Sequence, residues 1–349
     1  MFPSPVGETP PSAVACLPMS PLEALGLPEL PTDLIRVEEA LRSAVSHSDP
    51  FLADVAGHLV AAGGKRLRPA LTICSAYASL GPRTGGQVER SASNEAIAGG
   101  CSVELVHIGS LYHDDVIDEA KTRRGVESVN SRWSNIVAIL AGDFLLARAS
   151  EIAASLGADV AALLAGTITE LCRGQILELQ HTFDADNDRD AYLSAIAGKT
   201  ASLFGTSCRI GGMVSGADEE TLDALTEFGE HLGMCFQIVD DILDLTADSD
   251  TLGKPAGNDL MEGVYTLPVI CARETSPELH AMLGAKVTQD EANAIRDLVR
   301  ESDGLKIARE VANAEADQAK DALARAKSLD PAITSGMARL VETLIVRST

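Results

Sequence analysis

Apolar residues recur along this chain at three- and four-residue spacing from Thr32 onward, the period of an α-helix that buries one face. No stretch sustains the two-residue alternation of a half-buried strand. Breaks fall at Gly63-Gly64, Gly81-Pro82, Lys121 to Gly125, Asp184 to Asp190, Ser215 to Asp218 and Ser249 to Asp259, dividing the pattern into roughly a dozen helices. Thr32 followed by Asp33 predicts the N-cap and first turn of the first helix. Residues 1–31 hold eight of the fifteen prolines and predict a disordered tail. Residues 32–349 contain no low-complexity linker, so one all-α domain is expected there.

Composition sharpens this picture. The 349 residues are 46% hydrophobic but only 3% aromatic, so the core must be built from Ala, Leu, Val and Ile. A formal charge of −23 argues against nucleic-acid binding, which needs a basic footprint, and suits hard cations. Seven cysteines, at 16, 74, 101, 172, 208, 235 and 271, form no CxxC pair and sit mostly in apolar runs. They read as reduced thiols, and a cytoplasmic protein is expected. No apolar run reaches the ~18 residues of a membrane span, and the N-terminus lacks the pattern of a signal peptide.

The candidate chemistry begins with a repeated motif. Asp-Asp-x-x-Asp occurs at Asp114, Asp115, Asp118 and again at Asp240, Asp241, Asp244, each time after an apolar helical run. Asp114 and Asp118 share a helix face, as do Asp240 and Asp244. Like charges at that spacing destabilise an isolated helix, so the pattern points to a bound cation. Mg²⁺ fits, because it takes oxygen ligands and is held by one or two carboxylates plus substrate phosphates.

Cations cluster as well. Gly63-Gly64-Lys65-Arg66-Leu67-Arg68-Pro69 reads as a turn and a helix start, with Pro69 at the first helical position and Lys65 and Arg68 beside the helix N-terminus. Arg123 and Arg124 follow the first aspartate motif and suit bidentate phosphate recognition. Lys199 and Thr200 follow Gly198, which weakens its helix, and Lys254 lies after the second motif. The run Asp184, Asp186, Asp188, Asp190 resembles a calcium loop, but Arg189 and Ala195 occupy the positions that need Gly and Glu, so it reads as a solvated loop. Glu104-x-x-His107 and Glu178-x-x-His181 match a di-iron helical-bundle pattern, which would leave both aspartate motifs and the cations unexplained.

Together these segments resemble the trans-isoprenyl diphosphate synthase (polyprenyl synthetase) family. The resemblance is carried by GGKRLRP at 63–69, LVHIGSLYHDDVIDEAKTRRG at 105–125, GDFLLARA at 142–149, GKT at 198–200, FQIVDDILDLTAD at 236–248 and GKPAGNDLMEGVYTLP at 253–268, in family order. It covers about residues 32–349, and LYHDD followed by RRG is similar to actinobacterial longer-chain members. It implies the isoprenoid synthase fold, a bundle of antiparallel helices around a deep central cavity. It implies a prenyltransferase that joins isopentenyl diphosphate to an allylic diphosphate, with three Mg²⁺ ions per site, as a homodimer. Asp114, Asp118 and Asp240 would be the principal ligands, with Asp115, Asp241 and Asp244 in the metal network. Lys65, Arg68, His107 and Arg124 would take isopentenyl diphosphate. Arg123, Lys199, Gln237 and Lys254 would take the allylic diphosphate, and Thr200 and Gln237 would face the developing carbocation. Peripheral membrane contact at product release is compatible with this reading.

Gly109 and Ser110 lie about one turn below Asp114, where shorter-chain members resemble this segment with a bulky aromatic as a floor. Small side chains there predict an open floor and a product beyond C20, in the C30–C50 range, with Phe144 or Leu145 closing the tunnel deeper down. The alternatives are a farnesyl or geranylgeranyl diphosphate synthase, a terpene cyclase, a non-catalytic partner subunit and the di-iron bundle.

Overall fold

The computed structural model describes residues 21–82, 90–247 and 257–346. Two long helices organise it: α5 (Asn94–Ile117) and α11 (Glu219–Thr246). Side-chain caps start them where the sequence supplies acceptors. Ser93 accepts from the Ala96 amide, and Asp218 accepts from the Thr221 amide.

The remaining helices surround this pair. They are α1 (Pro21–Leu25), α2 (Leu30–Val45), α3 (Pro50–Ala61), α4 (Leu67–Ser79), α6 (Val129–Arg132), α7 (Asn135–Leu156), α8 (Ala158–Gln180), α9 (Arg189–Ile196) and α10 (Ser202–Val214). After α11 come α12 (Asn258–Glu262), α13 (Leu267–Arg273), α14 (Pro277–Met282), α15 (Gln289–Glu301), α16 (Gly304–Arg325) and α17 (Pro331–Val346). Helix α5 packs against α4 and α7, and α11 packs against α10 and α16. The core is aliphatic, as composition requires, with Tyr77, Tyr112, Phe204 and Phe228 as its fully buried aromatics.

The structure departs from the sequence reading in five places. Within the expected tail, residues 1–20 lie outside the described residues, whereas residues 21–25 are helical and Leu25 is buried, with Arg339 of α17 donating to the Ala24 and Leu25 carbonyls. Helix α2 starts at Leu30 rather than after Thr32, with Pro31 in its first turn. Pro69 is the third residue of α4, still within the turn whose amides need no helical partner. The break at Lys121–Gly125 begins a minimal antiparallel hairpin, Thr122–Arg123 (β1) with Val126–Glu127 (β2), that runs on past it. Helix α8 is long and apolar enough to cross a membrane by length and composition, although polar residues interrupt its apolar run. In the fold it packs against α7, α9 and α10.

Candidate active site

The aspartate motifs meet at one cavity of about 440 Å³, walled by Asp114 and Asp118 from the end of α5 and by Asp240 and Asp241 from α11. Arg123, Lys199 and Gln237 also line it. Burial pushes the Asp114 carboxyl up to about 6; Lys199 opposes that shift and Asp118 adds to it. Asp115 lies behind the wall, with Oδ1 accepting from Arg123 Nε at 2.6 Å, while its buried Oδ2 has no hydrogen-bond partner. This all-carboxylate donor set fits a hard divalent cation. Asp244 is buried two residues before the end of α11.

The opposite wall depends on a local break in helical geometry. Residues Ala197–Ala201 between α9 and α10 form a single π-turn, a device that re-aims side chains at functional sites. Glycines allow it to touch α8 backbone to backbone. A Cβ on Gly198 would lie 2.7 Å from the Glu170 carbonyl and 3.0 Å from Gly174 Cα. The turn aims Lys199 Nζ at Glu178 Oε1, 2.5 Å away. Burial works against the Lys199 charge, but Glu178 and Asp114 outweigh it and raise its pKa.

Behind this wall runs a chain of hydrogen bonds. Thr200 Oγ1 donates to Gln237 Oε1 at 2.9 Å, Gln237 Nε2 donates to Asp241 Oδ1 at 2.8 Å, and the Tyr192 hydroxyl donates to Asp241 Oδ2. Burial, with Asp259 nearby, raises the Asp241 pKa, and the bonds from Tyr192 and Gln237 pull it down.

A second cluster gathers around Glu104, which is only 2% exposed. Its Oε1 takes Arg66 Nη1 at 2.8 Å and Arg124 Nη2 at 3.5 Å. Arg66 is held from its other side by Glu38, and Arg124 Nη1 donates to the Gly63 carbonyl at 2.5 Å. Arg66 and Arg124 both adopt left-handed backbone, with φ of 49° and 53°, a strained conformation for side chains of this size. Arg68 lies over the Phe204 ring, and burial lowers its pKa to about 10. Burial, then the neighbouring arginines, push His107 well below the ordinary histidine value. Lys65 is exposed at the edge of this cluster. Lys254 lies outside the described residues.

The chain-length positions divide. Ser110 is half-buried, its hydroxyl turned back to the His107 carbonyl. Gly109 belongs to the contact between α5 and α7: a Cβ there would sit 3.2 Å from the Gly142 carbonyl and 3.4 Å from Leu146. Gly109 thus lets α5 and α7 pack closely at this level. Phe144 is partly buried, with its ring edge-on to His47 at 6.0 Å.

Several functional candidates escaped the sequence reading. Glu104 and Glu178 were visible only as halves of a discounted metal pattern, yet each balances the cations around it. Tyr192 carried a signal, as one of only four tyrosines, seven residues before Lys199. Asn187, which lines the cavity and is buried, carried none.

The polyprenyl synthetase family profile matches residues 49–301. The chain is 40% identical over 294 residues to a nonaprenyl diphosphate synthase of Mycobacterium tuberculosis (strain ATCC 25618 / H37Rv), covering 83% of this chain and 85% of that protein. A crystal structure of a decaprenyl diphosphate synthase from Rhodobacter capsulatus superposes with a TM-score of 0.83 at 32% identity, covering 94% of this chain and 99% of that one. A geranylgeranyl pyrophosphate synthase from Corynebacterium glutamicum, solved with calcium and isoprenyl diphosphate, gives a TM-score of 0.78 at 36% identity, covering 91% and 96%. On the aspartate-lined cavity, the shared fold and these matches, the chain belongs to the polyprenyl synthetase family of all-α prenyltransferases.

Proposed function

We propose that this enzyme condenses isopentenyl diphosphate with an allylic diphosphate in the presence of Mg²⁺ and releases a linear polyprenyl diphosphate longer than C20. The observation that carries this reading is the convergence of Asp114, Asp118, Asp240 and Asp241 with Lys199 and Arg123 on one cavity. Mg²⁺ bound there, with three ions as the family resemblance implies, would neutralise charge on the leaving diphosphate. Lys199 and Arg123 would hold that diphosphate where negative charge grows. The Arg68, His107 and Arg124 cluster, with Lys65 at its edge, would take isopentenyl diphosphate.

In the reaction the allylic C–O bond breaks and its electron pair leaves with the diphosphate. The isopentenyl double bond then forms the new C–C bond, and the released diphosphate takes the proton. Relatives and neighbours named as nonaprenyl and decaprenyl synthases support the longer product. A cytoplasmic homodimer completes the proposal. Exposed Ile136, Ile139 and Leu140 on α7 with Ile176 and Leu179 on α8 offer an apolar face that a second copy would cover.

The test is purified protein with labelled isopentenyl diphosphate and farnesyl diphosphate, with products separated by chain length. Turnover should vanish with EDTA and return with Mg²⁺, and Asp114→Ala should fall by about 10²-fold or more. An enzyme that turns over equally well in EDTA, or that stops at C20, would overturn the corresponding part.

A further inference from the structure

Thr200, Gln237, Asp241 and Tyr192 form one continuous hydrogen-bonded chain drawn from the π-turn, α11 and α9. Its polarity is fixed from the Tyr192 end. A phenol beside a carboxylate donates, and Tyr192 is 6% exposed, so no water competes freely for its proton. That donation occupies Asp241 Oδ2 and turns Oδ1 toward Gln237. A carboxylate oxygen accepts, so the Gln237 amide must present its NH₂ to Asp241 and its carbonyl oxygen to Thr200. Thr200 must then donate its only hydroxyl proton to Gln237, which leaves the oxygen lone pairs of Thr200 facing away from the chain.

We propose that Tyr192 is a positioning residue for the prenyl transfer: through Asp241 and Gln237 it orients the Thr200 hydroxyl so that oxygen, not hydrogen, is presented to the developing allylic cation. The inference rests on the reading of Thr200 and Gln237 as the groups that face that cation. Without the Tyr192 bond, the Asp241 carboxylate can rotate away from Gln237. The Gln237 amide can then flip, and the Thr200 hydroxyl can point its positive end at the cation.

Partners of this outer kind typically change activity by about 10–100-fold. Tyr192→Phe should lower kcat by that factor while leaving the KM for isopentenyl diphosphate unchanged, because the Glu104 cluster is untouched. A merely structural role would lower thermal stability without that split. The decisive measurement is a double-mutant cycle on kcat with Thr200→Val. If both residues act through one chain, the double variant should be within about twofold of the slower single variant. Full additivity would overturn the proposal, and so would wild-type kcat in Tyr192→Phe. Should Tyr192→Phe not fold, Tyr192→Met takes its place in the same cycle, since a thioether has no proton to donate to Asp241. A wild-type enzyme that forms no polyprenyl product would instead refute the assigned reaction.

Discussion

Gly174→Ala tests whether the contact between α8 and the π-turn places Lys199. A Cβ at Gly174 would stand 2.6 Å from the Ala195 carbonyl and 2.9 Å from the Gly198 carbonyl carbon, and closer still to the Lys199 amide nitrogen. These are backbone atoms, so no side chain can swing aside. Relaxing the Ala195 contact alone to 3.4 Å opens the two elements by about 0.8 Å. Overpacking of this kind costs about 1–3 kcal/mol, or roughly 2–10 °C in Tm for a domain of this size. A misplacement near 1 Å costs on the order of 10²-fold in rate. kcat/KM for the allylic diphosphate should therefore fall by one to two orders of magnitude, more than stability alone explains. The assay is steady-state kinetics at varied allylic substrate, beside thermal unfolding. Gly166→Ala on the same helix is the control: its Cβ meets nothing within 4 Å, and helix propensity should stabilise it by up to ~1 kcal/mol. Wild-type kinetics in Gly174→Ala would refute the argument.

Three further outcomes are expected. Ser110→Phe should shorten the product while the first condensation persists. Gly109→Tyr should destabilise the fold by about 3 kcal/mol, because its side chain must enter the α5–α7 contact; product chromatography and thermal melts separate the two. His231 has its pKa raised first by its bond to Glu315 of α16, with burial opposing and Glu230 and Glu227 of α11 adding to the rise. Arg325 pairs with Glu227 at the edge of this group. A raised histidine stabilises fully below its unfolded pKa of ~6.5 and loses that contribution as pH rises through the folded value. His231→Gln should cost on the order of 1 kcal/mol at pH 5.5, discounted for partial exposure, and nothing at pH 9. Equal Tm losses at both pH values would contradict this.

Helical spacing was enough to read the bundle, because each helix buries one face and the breaks carry Gly, Pro or Asp. Both aspartate motifs were legible from spacing too: like charges repeated one turn apart at the end of an apolar helix are unfavourable until a cation binds them. What escaped depends on contacts between segments far apart in sequence. Glu104 and Arg124 are 20 residues apart, and Tyr192 and Asp241 are 49 apart, so no local spacing marks either pair. The contact made at Gly109 was not legible because a glycine below an open cavity and a glycine under a crossing helix look alike in sequence. Only the position of the Gly142 carbonyl separates them.

The docking of α1 on α17 has a consequence for biosynthesis. Gly336 lets the Leu25 backbone settle onto α17, where a Cβ would be 3.1 Å from the Leu25 carbonyl carbon and closer still to its oxygen. The Arg339 bond to that same carbonyl spans 314 residues of chain. During translation α1 emerges before the other described helices, and the helix that covers it emerges after them. Leu25 therefore waits for this cover until the intervening 314 residues have been made, and closure of this seam is late relative to the rest of the bundle. A fusion partner that holds α17 near the ribosome would postpone that closure and lengthen the interval in which the apolar N-terminal helix is open to chaperones or to other nascent chains.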